Sequence, residues 1–215
     1  MPAPSRPTLS ELFAASPRDG GWAGLLLAQL EADKPLLWIQ DRMAIREAGR
    51  IHPAGLGPRE LIHVTTRDAR DALWAMEEGL RCSGIGAVIG ELYGDPASLD
   101  FTATRRLAVA AERTSVPCWL VRLGGIANLS GARMRWRVGS LPSPPHALDP
   151  KAPGAAAWEA ELFRARGHSP GRWSVTHEAD RFHCLAAPGD RALAERNRRA
   201  APLDEPSPGW SVRAA

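Results

Sequence analysis

The chain predicts an α/β fold: a mostly parallel sheet flanked by helices, followed by a carboxyl-terminal antiparallel hairpin. Three observations lead there. Four short apolar runs, PLLWIQ (35–40), LIHVT (61–65), GAVIGE (86–91) and PCWLVRL (117–123), have the length and the Val, Ile and Trp content of buried strands. Between them, apolar residues recur at helical spacing: Ala69, Ala72, Leu73, Met76 and Leu80, then Leu107, Ala110 and Ala111. Strands alternating with helices make a parallel sheet covered on both faces. Beyond residue 132 the period falls to two. Arg133, Arg135 and Arg137 alternate with Met134, Trp136 and Val138, as on a half-exposed strand.

Taken in order, residues 1–20 read as a flexible, proline-rich arm with one helical turn, capped by Ser10 and apolar at Leu12 and Phe13. A helix is predicted from Gly21 to Ala32 on Leu25, Leu26, Gln29 and Leu30. The strand PLLWIQ leads to Asp41 and Arg42, and a Gly/Pro-rich connection (52–58) leads to LIHVT. Thr65-x-x-Asp68 offers a capping box for the next helix, and Gly84 its stop. Glu91 closes the strand at 86–91. Tyr93 to Pro96 is loop chemistry, and Asp100 caps a helix from Phe101 to Thr114 that presents Arg105, Arg106 and Arg113 outward. A proline-rich linker spans 141–154, and a short helix is expected at Trp158 to Arg164. Trp173–His177 and Arg181–Leu185 read as a hairpin. One domain therefore covers residues 21–187, with a basic, largely disordered tail at 188–215.

At 215 residues the chain has room for one sizeable core, and 44% hydrophobic with 24% charged residues is ordinary for a globular protein. No apolar run reaches the ~20 residues that span a bilayer, and the amino terminus lacks the pattern of a signal peptide. Cys82, Cys118 and Cys184 are odd in number and without metal or redox spacing, so the expected home is the reducing cytoplasm. Lysine occurs only at 34 and 151 among 27 basic residues. Such a bias toward arginine suits genomic base composition, and it also suits recognition of phosphate or carboxylate.

Strand, acidic end, loop and helix at 86–114 resemble half of a nucleotide-hydrolase core. The other half needs a loop of the form G-x-x-x-x-G-K-[ST], and neither lysine stands in one. Asp19-Gly20-Gly21-Trp22 occupies the place where that loop would enter its helix. ATP hydrolysis by this route is not expected, and no cofactor or metal is assigned. Glu91, closing its strand, suits a metal or a partner's basic group, but such a carboxylate more often caps the next loop or meets an arginine. His177, His183 and Cys184 match no zinc spacing. The stripe Arg133/Arg135/Arg137 suits either a solvated strand face or a contact with phosphates or an acidic protein.

The segment PLLWIQD…REAGRIHPAGLGPRELIHVTTRDARDALWAMEEGLRCSGIGAVIGEL, followed by DFTATRRLAVAAERTSVPCWLVR, closely resembles the ImuA family. So do the later R-W-R-V and the P-G-R-W at 170–173, and the likeness spans about residues 35–185. These are RecA-like accessory proteins of bacterial damage-inducible mutagenesis. The resemblance implies a RecA-like core in which Asp41, Arg42 and Glu91 are vestigial nucleotide-site positions. It implies a cytoplasmic, non-catalytic adaptor in SOS-type translesion synthesis. Its partners would be an ImuB-type, Y-family-like protein and an error-prone replicative-type polymerase, with RecA as a further partner and DNA contact indirect. A regulator of RecA filaments or of a division protein is the alternative, and an ATP-driven recombinase a more distant one. For partner contacts, Arg191, Arg196, Arg198 and Arg199 form a basic segment with Leu193 as its main apolar anchor, too thin a stripe to dock on its own core. Arg133, Arg135 and Arg137 are the second candidate set.

Overall fold

A computed structural model describes residues 6–30, 33–178 and 181–184. The chain opens with a strand, β1 (Leu9–Ala14), and a short helix, α1 (Gly21–Leu27). Next come β2 (Leu36–Asp41), α2 (Arg42–Ala48), a 3₁₀ turn at Pro53–Leu56 and β3 (Leu61–Thr66). Then follow α3 (Ala69–Gly79), β4 (Ala87–Tyr93), α4 (Phe101–Thr114) and β5 (Cys118–Leu123). Four strands finish the described chain: β6 (Met134–Leu141), β7 (Ala157–Ala165), β8 (Gly171–Glu178) and β9 (Arg181–Cys184).

All lie in one sheet of order β3-β2-β4-β5-β1-β6-β7-β8-β9. The first six in that order run parallel, and β6 to β9 form an antiparallel extension. The predicted α/β class, the parallel sheet between helices and the hairpin are therefore present. Two apolar layers result. On one face α1 and α2 cover Leu12, Trp38, Ile89, Val121 and Trp136; on the other α3 and α4 cover Leu9, Ile39, Val88 and Leu120. Strands buried on both faces read as continuous apolar runs, which is why β2, β4 and β5 were legible; β3, at the sheet edge, is half-exposed. Among the described residues no helix is long and apolar enough to cross a membrane.

Several expectations are corrected. The helical turn at Ser10–Phe13 is strand β1, hydrogen-bonded to β5 on one side and β6 on the other. Residues 9–14 thus belong to the middle of the sheet rather than to an arm ending at residue 20. Glu11 interrupts the apolar run, and its charge disguised a core strand. The helix expected at Trp158–Arg164 is strand β7, with Trp158, Ala160 and Leu162 buried at a period of two. Helix α1 stops at Leu27 instead of Ala32, and α2 had no counterpart in the sequence reading. Asp68 rather than Thr65 caps α3, accepting from the amides of Arg70 and Asp71, and α3 ends at Gly79, ahead of Gly84. Asp100 caps α4 as expected, accepting from Ala103 N at 2.7 Å. Strand β4 continues two residues past Glu91, so this acid lies inside the strand.

Candidate functional site

In an open parallel sheet, ligand crevices form beyond the carboxyl ends of the strands. Here β1, β2 and β4, with the loops that follow β1 and β4, bring Asp19, Asp41, Glu91 and Asp95 to that edge. Each carboxylate is already engaged by the protein itself.

The loop from β1 to α1 carries Asp19. Its carboxylate accepts from Gly21 N (2.9 Å), from Ser140 N (2.8 Å) and from Ser140 Oγ (2.6 Å). Burial pushes this carboxyl up, but the three hydrogen bonds together outweigh it and hold the pKa below the usual value. The first amides of a helix are unpaired donors that favour an anion. Asp19 supplies that anion from within the chain and ties the start of α1 to β6. The fit is tight, since a Cβ added at Gly21 would come within 2.1 Å of Ser140 Oγ.

Asp41 ends β2 and caps α2, accepting from Ala44 N at 2.6 Å; burial raises its pKa against these backbone bonds. Arg42, the first residue of α2, is exposed. Neighbouring β4 carries Glu91 in register with Gln40. The Trp38 indole N–H donates to Glu91 Oε1, and Gln40 Nε2 donates to Oε2 at 3.1 Å. Gln40 extends the chain: its Nε2 reaches Gly49 O (3.0 Å), and its Oε1 meets Ile51 N (3.1 Å) and His63 Nε2 (3.0 Å). Burial raises the Glu91 carboxyl to about 7 despite its two donors, and the charge of Asp41 adds to the rise. Of the readings open for Glu91, neither the loop cap nor the arginine partner is realised among the described residues. It is the anchor of a buried hydrogen-bond chain that holds the segment after α2.

A second cluster lies across β1, β5 and β6. Buried Glu11 faces Arg135 in register and meets its Nε at 2.6 Å; Arg122 Nη1 lies 3.8 Å away, and Ser130 Oγ donates at 2.9 Å. Arg122 also pairs with Asp95, whose carboxylate accepts from Ile126 N and so fastens the loop after β5. Phe13 lies against both guanidinium groups, with its ring centre 5.5 Å from Arg122 and 5.3 Å from Arg135. Burial lowers the Arg122 pKa while Glu11 and Asp95 hold it up.

The arginine stripe is thereby divided. Arg135 is only 3% exposed and belongs to the core, which corrects its assignment as a surface contact. Arg133 pairs with Glu112 of α4 at 2.6 Å, and Arg137 with Glu161 of β7 at 3.2 Å. Arg137 also lies 4.3 Å over the Phe163 ring. Only the first and last of the three reach the surface, because Glu11 of β1, in register with Arg135, draws that guanidinium into the core. Arg191, Arg196, Arg198 and Arg199 lie outside the described residues. Sequence reasoning missed Glu11, Arg122 and Asp95 as a unit and gave Asp19 no role. A signal existed. A single charge inside an apolar strand, as in LSELFA and CWLVRL, must find a partner of opposite sign.

Fold and site together define an α/β protein whose strand-end carboxylates are engaged in holding its own loops and helices. No family model matches the chain. It is similar to Protein ImuA of two strains of Caulobacter vibrioides, NA1000 / CB15N and ATCC 19089 / CIP 103742 / CB 15. In each case the identity is 31% over 183 residues, covering 76% of this chain and 72% of the relative. The chain belongs to the ImuA family.

Proposed function

We propose that this chain is a non-catalytic accessory protein of DNA-damage-induced mutagenesis. It would work in the cytoplasm as an adaptor in error-prone translesion synthesis, beside an ImuB-type, Y-family-like protein and an error-prone replicative-type polymerase. Family membership supports the process. The observation that carries the adaptor reading is Asp19. Its carboxylate takes the first amide of α1, where a nucleotide-hydrolysing core of this strand order would hold a phosphate, and no lysine stands beside it. The insertion of β5 between β1 and β4 supports a RecA-like origin for that core. A scaffold of this kind with its carboxylates internally engaged has surfaces to offer rather than chemistry.

The test has two arms. Co-purification of this chain with the ImuB-type protein at micromolar concentration is the expected result, and two folded proteins that stay apart would overturn the partner. Calorimetric titration with ATP and Mg²⁺ is expected to give no binding heat. Saturable heat that is lost on removing the Glu91 carboxylate would overturn the non-catalytic reading.

A further inference from the structure

We propose that the outer face of α4, with the grooves on its two sides, docks an acidic amphipathic helix of a partner protein. The inner face of α4 is spent on the core through Ala103, Leu107, Ala108 and Ala111. Its outer crest runs Phe101, Arg105, Val109 and Arg113, four residues at i, i+4 spacing and all exposed. A helix that covers a sheet ordinarily turns polar residues outward. Here Phe101 is 41% and Val109 50% exposed, and Trp74 of the adjoining α3 is 65% exposed. Large apolar groups interleaved with arginine are the composition of the centre of a protein interface.

The relief around the crest suits a helix. Between α4 and α3 lies a groove of about 920 Å³, bordered by Glu77, Arg81, Thr102, Arg106 and Ala110. On the other side a groove of about 580 Å³ reaches Arg133, Arg164 and Arg166. Arg105 and Val109 border both. A ridge between two grooves is what a second helix packs against.

Charge chooses the occupant. The nearby carboxylates are taken: Glu77 by Arg106 at 2.8 Å, Glu112 by Arg133 at 2.6 Å, and Glu78 by Arg81 at 3.2 Å. Arg105 and Arg113 have no ion pair among the described residues. The face is therefore left positive, and an acidic helix complements it. This chain's own tail does not, because Arg191, Arg196, Arg198 and Arg199 carry the same sign. Apolar side chains at the crest favour a peptide with an apolar stripe over a phosphate backbone, which would leave Phe101 and Val109 without partners. None of these observations depends on the mutagenesis reading.

The experiment is fluorescence anisotropy on the full chain. The probe is a labelled peptide of about 18 residues, built from Leu, Ala and Glu, with Leu on one helical face and Glu beside it. Saturable binding in the micromolar range is expected. Arg105→Glu with Arg113→Glu should weaken it about tenfold or more, while Arg105→Lys with Arg113→Lys should keep most of it. Both residues are exposed and, among the described residues, free of ion pairs, and an unchanged melting temperature checks that the fold is kept. A scrambled peptide of equal charge should bind more weakly. Absence of binding, or affinity unmoved by the charge reversal, would overturn the proposal. So would equal binding of the scrambled peptide, or tighter binding of single-stranded oligo(dT) of matched charge, which would assign the face to nucleic acid. Self-association abolished by the same charge reversal would assign it to a second copy and overturn it too.

Discussion

Glu91 shows how one side chain makes part of the fold's stability depend on pH. Its carboxyl is buried and titrates at about 7 in the native state, against 4.5 as a free side chain. An acid whose pKa is raised by folding holds its proton more tightly in the native state than in the unfolded one. Its contribution is therefore most favourable below about pH 4.5. Stability falls as pH rises, because the unfolded chain ionises first, and the loss is complete once the native carboxyl ionises near 7. The shift corresponds to about 3 kcal/mol. Glu91→Gln removes the charge and leaves an amide among the same partners, Trp38 and Gln40. Relative to wild type, the variant should be similar in stability near pH 4.5 and should gain up to about 3 kcal/mol by pH 7.5. Urea midpoints across that range measure it, and a difference that stays flat with pH would contradict the assignment. The sequence placed Glu91 and Asp41 beyond their strands' apolar runs, but not their partners. Gln40 and Trp38 reach Glu91 from a strand some fifty positions earlier, and such a contact has no local signature.

At the level of elements, helices α3 and α4 were legible because each has a 3.6-residue apolar stripe and an aspartate cap. Strands β1 and β7 were not. Both carry carboxylates inside an apolar pattern, Glu11 in one and Glu159 and Glu161 in the other, and a charged position breaks the continuous run by which a central strand is recognised. Each is neutralised only after folding, Glu11 by Arg135 and Glu161 by Arg137. How closely an element docks is set by its neighbours' size. Gly90 in β4 lets α3 approach, since an added Cβ would lie 2.2 Å from Met76 Sδ, and Met76 is fully buried. Gly90→Ala should therefore cost about 1–3 kcal/mol by overpacking. Adding Met76→Ala to that variant should cost less than the sum of the two single changes, because the second change removes the clash. Thermal unfolding of the three variants reads this directly, and simple additivity would mean that Met76 moves aside freely.

For the whole molecule, β1 is the strand on which the two halves of the sheet meet. It joins β5 of the parallel part to β6, from which the antiparallel strands extend. It also brings Glu11 between Arg122 and Arg135, so its removal would leave two buried guanidinium groups without that carboxylate. Loss of one partner from a buried ion pair costs about 3–5 kcal/mol, a large share of a domain's net stability. Deleting residues 1–15 should therefore abolish the cooperative unfolding transition seen by circular dichroism. A truncated chain that melts like the full one would restore the picture of a dispensable arm.

Sequence alone determined the local part of this protein. Strand runs at 35–40, 61–65, 86–91 and 117–123, helices α3 and α4 and the carboxyl-terminal hairpin follow from periodicity and cap chemistry, which act over a few residues. Sequence phrases also pointed to the ImuA family, and the absence of a lysine beside Gly20-Gly21 was visible in the letters themselves. What only the tertiary structure decided is which charges meet. Glu11 lies 124 residues from Arg135, and Asp19 lies 121 from Ser140. These pairings turned an apparent arm into a central strand, withdrew Arg135 from the surface and closed the first loop with an internal carboxylate. The physical reason is that burying a charge is costly unless an opposite charge or a set of donors is held beside it. In a parallel sheet those partners come from strands distant in sequence, so the chain must fold before they are adjacent.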